Sequence, residues 1–371
     1  MIRAFFPPLR KVDKGGFPFA HKAQSPLNPA FSKREIRGWL ALVKVWLTLL
    51  IVALGLGHSV HAADLELAKK EGEVVLYTTM VLSDFQVFQK AIAKKYPFLK
   101  VNHVRLGAAT LAARAIAEFR AGKHLADVFG VTPDSMNYLR DIGVLAQYTS
   151  PETKFLQQGF NDPKGFWSGI NTDVLVTGVN TKQMPVAKAP RSYNDYLKPE
   201  YKGKIAFHIG TNNPLIGMTE LRGEEKALAF MRAFAKQDLI AHNGYTKISQ
   251  LLGAGEFPIV AFMQVTKLEK IRERNGPVDW LPLDPSFATV SSVAIAKNAP
   301  RPNAARLLVD FYLSDEGQKS LREIDKIPIR KGVDADSKRV AELVEKTPHV
   351  IKYEGDSGKQ IKLFNEIFLG R

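Results

Sequence analysis

Apolar residues along this chain fall into short unbroken runs that alternate with stretches of helical spacing. Val74-Val-Leu-Tyr-Thr-Thr reads as a buried strand of the parallel kind. Before it, Asp64–Gly72 reads as a short helix closed by glycine. After it, Phe85, Phe88, Ile92 and Tyr96 share one helical face that Ser83 and Asp84 open and Pro97 stops. Lys100–Leu106 follows as a second strand and Leu111–Ala121 as a helix ended by Gly122. Ala126–Val131 is a third strand. This βαβαβ order predicts an open α/β sheet.

The second half gives the same kind of pattern. Phe166–Asn171 and Val174–Asn180 read as paired strands joined by an Asn171-Thr-Asp-Val turn. Pro190–Tyr201 reads as a short helix and Lys204–His208 as a strand. The loop Ile209–Leu215 leads into a helix with Pro214 in its first turn. Gly223–Lys236 and Tyr245–Leu252 are helices, with the turn His242-Asn243-Gly244 between them. Phe257–Phe262 is a buried strand. Trp280–Leu283 and Thr289–Ala296 are strands, Asn298–Pro302 is a loop, and Asn303 and Ser314 are placed to cap two successive helices. Two more helices, Ser337–Lys346 and Gly358–Leu369, make the tail.

In an open α/β sheet the ligand crevice lies outside the carboxyl ends of the strands. Here those ends carry Thr78, Thr79 and Met80, then Gly107 and Thr110, then Thr132. The first two run into helix starts, where free N–H groups and the helix dipole favour an anion.

Composition narrows the class. Hydrophobic residues make up 45% and charged residues 24% of 371, as in a globular protein. There is no cysteine, so disulfides, thiolate chemistry and cysteine zinc sites are excluded. The formal charge is +15, but residues 1–62 hold nine Lys and Arg against two Asp and Glu, so +7 of it sits there. The remaining +8 is spread, with no run of Lys and Arg beyond pairs, so nucleic acid is not an expected partner. Lys33-Arg34-Glu35-Ile36-Arg37, the apolar core 45–57 and the small residues around Ala62 have the layout of a secretory signal. Residues 1–62 are therefore expected to be an extension plus signal peptide. The competing reading is an uncleaved anchor over Gly38–Gly57, which Lys44 interrupts.

The strand over Thr289–Ala296, then Asn298-Ala-Pro-Arg-Pro-Asn-Ala-Ala, then Leu313-Ser-Asp-Glu-Gly-Gln-Lys resembles type II periplasmic solute-binding proteins of ABC importers, in particular the ferric-ion-binding-protein-like subgroup. The resemblance covers about Glu73–Arg330. It implies a two-lobed α/β periplasmic-binding-protein fold, each lobe an open, mostly parallel sheet flanked by helices, with two hinge crossovers. Lobe 1 would take residues 63–178 and 285–371, with the tail helices free to pack on lobe 2, and lobe 2 residues 179–284. It also implies that Thr211, Asn212 and Asn213 offer backbone and hydroxyl groups to a bound anion, and that Gln264 faces the crevice.

What the resemblance does not carry over is iron. Ferric receptors of this kind use an adjacent tyrosine pair, a histidine after the first strand and a carboxylate after the third. Val265 and Thr266 stand where the tyrosines would, Met80-Val-Leu where the histidine would, and Gly130-Val-Thr where the acid would. His103, His124, His208, His242 and His349 show no metal spacing with one another. No metal, cofactor or catalytic residue is expected, and no nucleophile motif such as Gly-x-Ser-x-Gly occurs. The expected protein is a monomeric periplasmic receptor that takes a small organic anion (carboxylate, phosphonate or sugar phosphate) to an inner-membrane ABC permease. An iron or iron-chelate receptor is the alternative, and a membrane-tethered sensor module the second.

Overall fold

The computed structural model describes residues 63–346, 348–352 and 355–370. The signal and anchor readings of residues 1–62 lie outside them. Among the described residues no helix is long and apolar enough to cross a membrane.

In chain order the elements begin with α1 (Leu65–Glu71), β1 (Glu73–Thr78), α2 (Leu82–Lys95), β2 (Lys100–Arg105), α3 (Ala108–Arg120), β3 (Val128–Val131) and α4 (Pro133–Ile142). The long strand β4 (Ser168–Asn180) comes next. It leads to β5 (Ile205–His208), α5 (Asn213–Arg222), α6 (Glu224–Ala235), β6 (Ile240–His242), α7 (Tyr245–Ala254), β7 (Ile259–Gln264), α8 (Val265–Glu273) and β8 (Val278–Leu281). The return is β9 (Phe287–Ile295), α9 (Pro302–Leu313), α10 (Asp315–Glu323) and β10 (Ile327–Pro328). The tail is α11 (Lys338–Glu345), β11 (His349–Val350) and α12 (Ser357–Phe368).

The strands form one continuous sheet in the order β2-β1-β3-β9-β4-β7-β5-β6. One wing, β1–β3, is parallel; so is the other, β5–β7. Between them β9 and β4 run antiparallel to each other and, respectively, to β3 and β7. These two strands belong to both wings. Along β4, Ser168–Leu175 pairs with β9, and Leu175–Asn180 pairs with β7 and β8. The fold is that of a two-lobed binding protein whose lobes are joined by strands shared between their sheets.

Each wing is buried on both faces, which is why its strands read as apolar runs. In the first lobe Phe85, Phe88, Leu308 and Phe311 cover one face, and Leu111, Ala115, Met136 and Leu139 the other. In the second lobe Phe207, Phe230, Phe234 and Phe262 fill one face, and Ile248, Leu252, Leu268 and Trp280 the other. The tail helices join this second pair of cores. Val340, Leu343 and Val344 of α11 pack with Trp280, and Phe364 of α12 with Phe207. Between those helices β11 runs parallel to β9, with His349 opposite Phe287 and Val350 opposite Ala288.

The turn expected at Asn171-Thr-Asp-Val is instead the middle of β4, every residue of which is buried. Its polar residues suggested a turn, yet Thr172 and Asp173 hold hydrogen bonds within the sheet. Thr172 donates its hydroxyl to the Thr289 carbonyl (2.9 Å), and the Asp173 carboxylate accepts from the Val174 N–H (2.9 Å). Gly178 lies where the strand meets α8. A Cβ there would sit 2.7 Å from both Leu268 and Val260 side chains. Further corrections are local. Pro190–Tyr201 forms two 3₁₀ turns, Tyr193–Leu197 and Pro199–Tyr201, because Pro199 cannot donate the next helical bond. His242 closes a third parallel strand in the second lobe, and helix α8 follows Gln264 at once. Arg301, not Asn303, precedes α9. Asn303 lies inside its first turn and donates to Glu71, whose carboxylate also accepts from the Ala304 N–H (2.6 Å). Ser314 caps α10 as expected, accepting from the Gly317 N–H.

Candidate functional site

Six helices start directly after the carboxyl end of a parallel strand: α2, α3, α4, α5, α7 and α8. None has a side-chain N-cap among the described residues. The residues before them are Val81, Gly107, Thr132, Asn212, Gly244 and Gln264. The helices that do carry side-chain caps are α1, α10, α11 and α12, capped by Asp64, Ser314, Ser337 and Asp356, and none of them starts at a parallel strand's carboxyl end. A helix start leaves its first N–H groups unbonded unless a side chain or a ligand accepts from them. All six starts at the carboxyl edges of the two wings are thus without a side-chain N-cap, a feature they share with α6 and α9 elsewhere in the fold.

On the first lobe this edge holds a cavity of about 170 Å³. Thr78, Thr79, Met80 and Thr132 line it, as the strand ends predicted. Asn171, Ser291, Ser292, the Asp84 carboxylate and Lys326 also line it, with Val81, Ile170, Val293 and Tyr312 among the apolar residues of the wall. The Thr78 hydroxyl accepts from the Met80 N–H (3.1 Å), which fixes the β1–α2 turn. Gly130 is glycine because a Cβ would stand 2.8 Å from that hydroxyl. His103, from β2, donates through Nε2 to the Met80 carbonyl (3.0 Å) and stacks on Phe85 at 4.2 Å. Burial lowers its pKa, so the ring is a neutral prop for the turn. Gly107 and Thr110 lie at the exposed start of α3 and do not line this cavity.

On the second lobe Thr211, Asn212 and Asn213 lie together at the start of α5, and Gln264 precedes α8. They are set apart from the first-lobe cavity. His208 organises this edge. Its Nδ1 accepts from the N–H groups of Gly210 (3.2 Å) and Gly244 (3.3 Å), tying the starts of α5 and α7 together. Burial lowers its pKa as well. The Asn212 Nδ2 and the Tyr245 hydroxyl are buried and make no hydrogen bond.

Between the lobes a charged group escaped the sequence reading. Asp173, on the shared strand β4, accepts from the Thr266 hydroxyl at 2.5 Å. Lys267 follows Thr266 in the first turn of α8 and makes no hydrogen bond or ion pair among the described residues. Burial lowers its pKa and Lys326 lowers it further, against the pull of Asp173, Asp325 and Asp84. Lys326 comes from the other lobe, just before β10, with Nζ 3.7 Å from the Asp84 carboxylate at the start of α2. The lobes also meet where Lys270 of α8 pairs with Asp325. A sequence scan for anion sites could have reached Lys267, since it lies three residues past Gln264. Lys326 and Asp173 carry no local signal.

A larger cavity, about 540 Å³, lies beside β9 between α4, residues 159–167, residues 350–352 and Gly355. Arg140 is committed to Asp162 and Asp141, and the Trp167 indole to Asn137; Lys164 and Lys352 also line this cavity. Trp167 is thus a buried wall residue and Trp280 a core residue, its indole held by Glu269 at 2.6 Å. Among the described residues no group of three or more His, Asp and Glu could hold a metal ion.

The chain belongs to the bacterial extracellular solute-binding proteins, whose family model matches residues 123–354. It is 28% identical over 288 residues to an uncharacterised protein of Haemophilus influenzae, covering 72% of this chain and 81% of that one. A Fe(3+)-binding periplasmic protein of Serratia marcescens is 25% identical over 183 residues, 47% of this chain and 54% of that one. Among solved structures, iron-bound HitA from Pseudomonas aeruginosa superposes with a TM-score of 0.71 at 21% identity, covering 80% of this chain and 99% of that one. AfuA from Actinobacillus pleuropneumoniae, with exogenous fructose-6-phosphate bound, gives 0.67 at 23% identity over 80% and 97%. At these identities the structural likenesses speak for the fold.

Proposed function

We propose that this member of a family of importer receptors captures a small organic anion between its lobes, in the periplasm, and hands it to an ABC permease. The observation that carries the anion is the set of uncapped helix starts along the carboxyl edges of both wings. A helix start offers N–H groups and a positive dipole end to an acceptor beyond it, although at α8 the Asp173 carboxylate already accepts from the Thr266 N–H (3.5 Å) and at α5 the Thr211 hydroxyl from the Asn213 N–H (3.2 Å). Thr78, Thr79, Met80 and Thr132 would meet the anion from the first lobe, and Thr211, Asn212, Asn213 and Gln264 from the second. Gly107 and Thr110 would serve the rim. The buried, unbonded Asn212 amide supports the reading, since a buried donor without an acceptor is costly until something occupies it. Capture, not catalysis, is the work proposed: these groups are hydroxyls, amides and backbone N–H, with no nucleophile and base in partnership.

A relative named for ferric ion and a fold neighbour with iron bound favour a second reading, an iron or iron-chelate receptor. One buried phenol, Tyr245, lies within electrostatic reach of the Asp173 carboxyl. A lone phenol with one carboxylate is a poor set for a bare trivalent ion. Iron would more readily enter as a chelate, itself an organic anion.

The test is a thermal-shift screen of residues 63–371 against carboxylates, phosphonates, sugar phosphates and ferric salts. A solute bound only by the folded state stabilises it by about 4 kcal/mol at a thousandfold excess over Kd. A large shift with one anion class is the expected result. A shift with ferric salt and none with anions overturns the reading.

A further inference from the structure

Asp310, half-buried in the last turn of α9, makes no ion pair among the described residues. It accepts from the Tyr148 hydroxyl (2.7 Å), from the Ser150 hydroxyl and from the Ala63 N–H. Burial pushes its carboxyl up, and these three donors draw it back only in part. The charged groups around it are turned elsewhere. Arg306, one turn earlier on α9, stands 6.0 Å from the centre of the Tyr148 ring, and Glu152 pairs with Arg330 (2.7 Å). Helix α1 accounts for the place of Ala63. Its far end is fixed at the start of α9, where the Glu71 carboxylate accepts from the Ala304 N–H (2.6 Å) and the Asn303 amide (2.9 Å). From there α1 runs back along α9, with Ala68 in the same core as Ala305 and Leu308. About two turns on, at roughly 1.5 Å per residue, Ala63 draws level with Asp310 and packs on that core. Two hydroxyls and an amide are neutral donors, and a carboxylate taken partly out of water with only such partners keeps much of its desolvation cost.

We propose that Asp310 is the seat of the mature N-terminus: the chain is cut between Ala62 and Ala63, and the new Ala63 ammonium pairs with the Asp310 carboxylate. Ala62 is the small residue that such a cut follows at the end of a secretory signal. A leader peptidase adds water across the Ala62–Ala63 peptide bond. Ala62 leaves as a carboxylate, and the proton released passes to the amine that stays on Ala63, whose ordinary pKa is about 8. That nitrogen already donates to Asp310 as an amide. The cut therefore turns a neutral donor into a charged one, the stronger kind, without moving the chain. Tyr148 and Ser150 remain the carboxylate's other partners. The ion pair exists only once the leader is gone, so removal of the leader and stability of the first lobe are coupled. None of this depends on which solute the protein carries.

The test begins with the full chain, expressed with its own leader in a bacterial host that has a periplasm. The exported protein is sequenced from its N-terminus. It is then compared with residues 63–371 made in the cytoplasm behind a short Met-Gly-Ser extension, which keeps the Ala63 N–H and moves the ammonium away. Thermal unfolding at about pH 6.5, where an ordinary α-amine is charged, is measured on both forms, each as wild type and as D310N. The expected result is an exported chain that begins at Ala63 and melts at least about 2 °C above the extended one. D310N is expected to cost the exported protein at least about 2 °C more than it costs the extended protein, where the carboxylate has no cation to lose. An exported chain that begins elsewhere, or a leader that stays attached, overturns the proposal. So does a smaller difference in either comparison. If D310N does not fold, the two wild-type forms and the N-terminal sequence still decide it.

Discussion

The Asp173 carboxylate, on the strand shared by both lobes, accepts a 2.5 Å hydrogen bond from the Thr266 hydroxyl in the first turn of α8. This bond fixes the start of a second-lobe helix to the hinge itself. It also places a carboxyl in full burial. Burial pushes its pKa up, and the Thr266 hydroxyl, Lys267 and Lys326 pull it back only in part.

The sign of the pH effect follows. A carboxyl whose folded-state pKa lies above its unfolded value of about 4 costs nothing at pH values below both. Its cost grows as pH rises past about 4 and is complete above the folded-state pKa. Asp173→Asn keeps an acceptor for Thr266 and removes that cost. Urea unfolding is expected to show the Asp173→Asn variant gaining on the wild type as pH goes from about 4 to about 7. A gap that moves the other way would mean the ionised carboxylate is stabilised where it sits.

Glu269 is the opposite case. Burial pushes its carboxyl up, but bonds from Arg272, the Ser337 hydroxyl and the Trp280 indole outweigh that and hold it at about 2. Its contribution is present above the unfolded value of about 4.3 and is lost as pH falls toward 2. Ser337 caps α11, so the same carboxylate anchors the tail to the second lobe. Glu269→Gln is expected to cost about 2 kcal/mol at pH 7, a charge-assisted bond or two lost with Arg272 still partly solvated. The loss should shrink as pH approaches 2. A cost that is the same at pH 3 and pH 7 would place it in packing.

Gly317, in the return segment, is buried in α10 next to the end of α9. A Cβ there would lie 1.8 Å from the Phe311 carbonyl oxygen, an atom of the backbone that cannot swing aside. Gly317→Ala is expected to destabilise by about 3 kcal/mol, at the top of the range for overpacking. Chemical denaturation measures it; a cost under about 1 kcal/mol would show that α9 and α10 slide apart easily.

Much of this molecule was legible because its strands are buried on both sides and its helices on one. Val74–Thr78 and Phe85, Phe88 and Ile92 announce those two geometries by spacing alone, and Ser314 announces a cap by its chemistry. What spacing could not show is where polarity is satisfied over a distance. Asn171, Thr172 and Asp173 look like a turn, and their partners, Ser291, Thr289 and Thr266, lie far along the chain. The site divides in the same way. Thr78, Thr79, Met80 and Thr132 come together because a parallel sheet puts its strand ends on one edge. Lys326 arrives from a loop nearly two hundred residues after Thr132, and no local pattern could place it there. Phe262 is likewise hidden: its φ of 51° is left-handed for a bulky residue, and stacking on Tyr193 and Phe287 holds it.

Tyr245 supplies a test that separates fold from function. Its ring packs edge-on against His208 at 4.3 Å, while its hydroxyl is buried, without a hydrogen-bond partner, near Asp173. Burial, and then the Asp173 charge, push the phenol's pKa up, so it stays a neutral donor at neutral pH. Removing a buried hydroxyl that bonds to nothing removes a desolvation cost of about 1–3 kcal/mol and leaves the ring contact in place. Unliganded Tyr245→Phe is therefore expected to be as stable as the wild type or more so. If the hydroxyl is held ready for a solute between the lobes, the same variant loses about tenfold in affinity for whichever anion shifts the wild type. Stability preserved with affinity lost assigns Tyr245 to binding; stability lost by more than about 1 kcal/mol shows that the hydroxyl already has a partner in the empty protein.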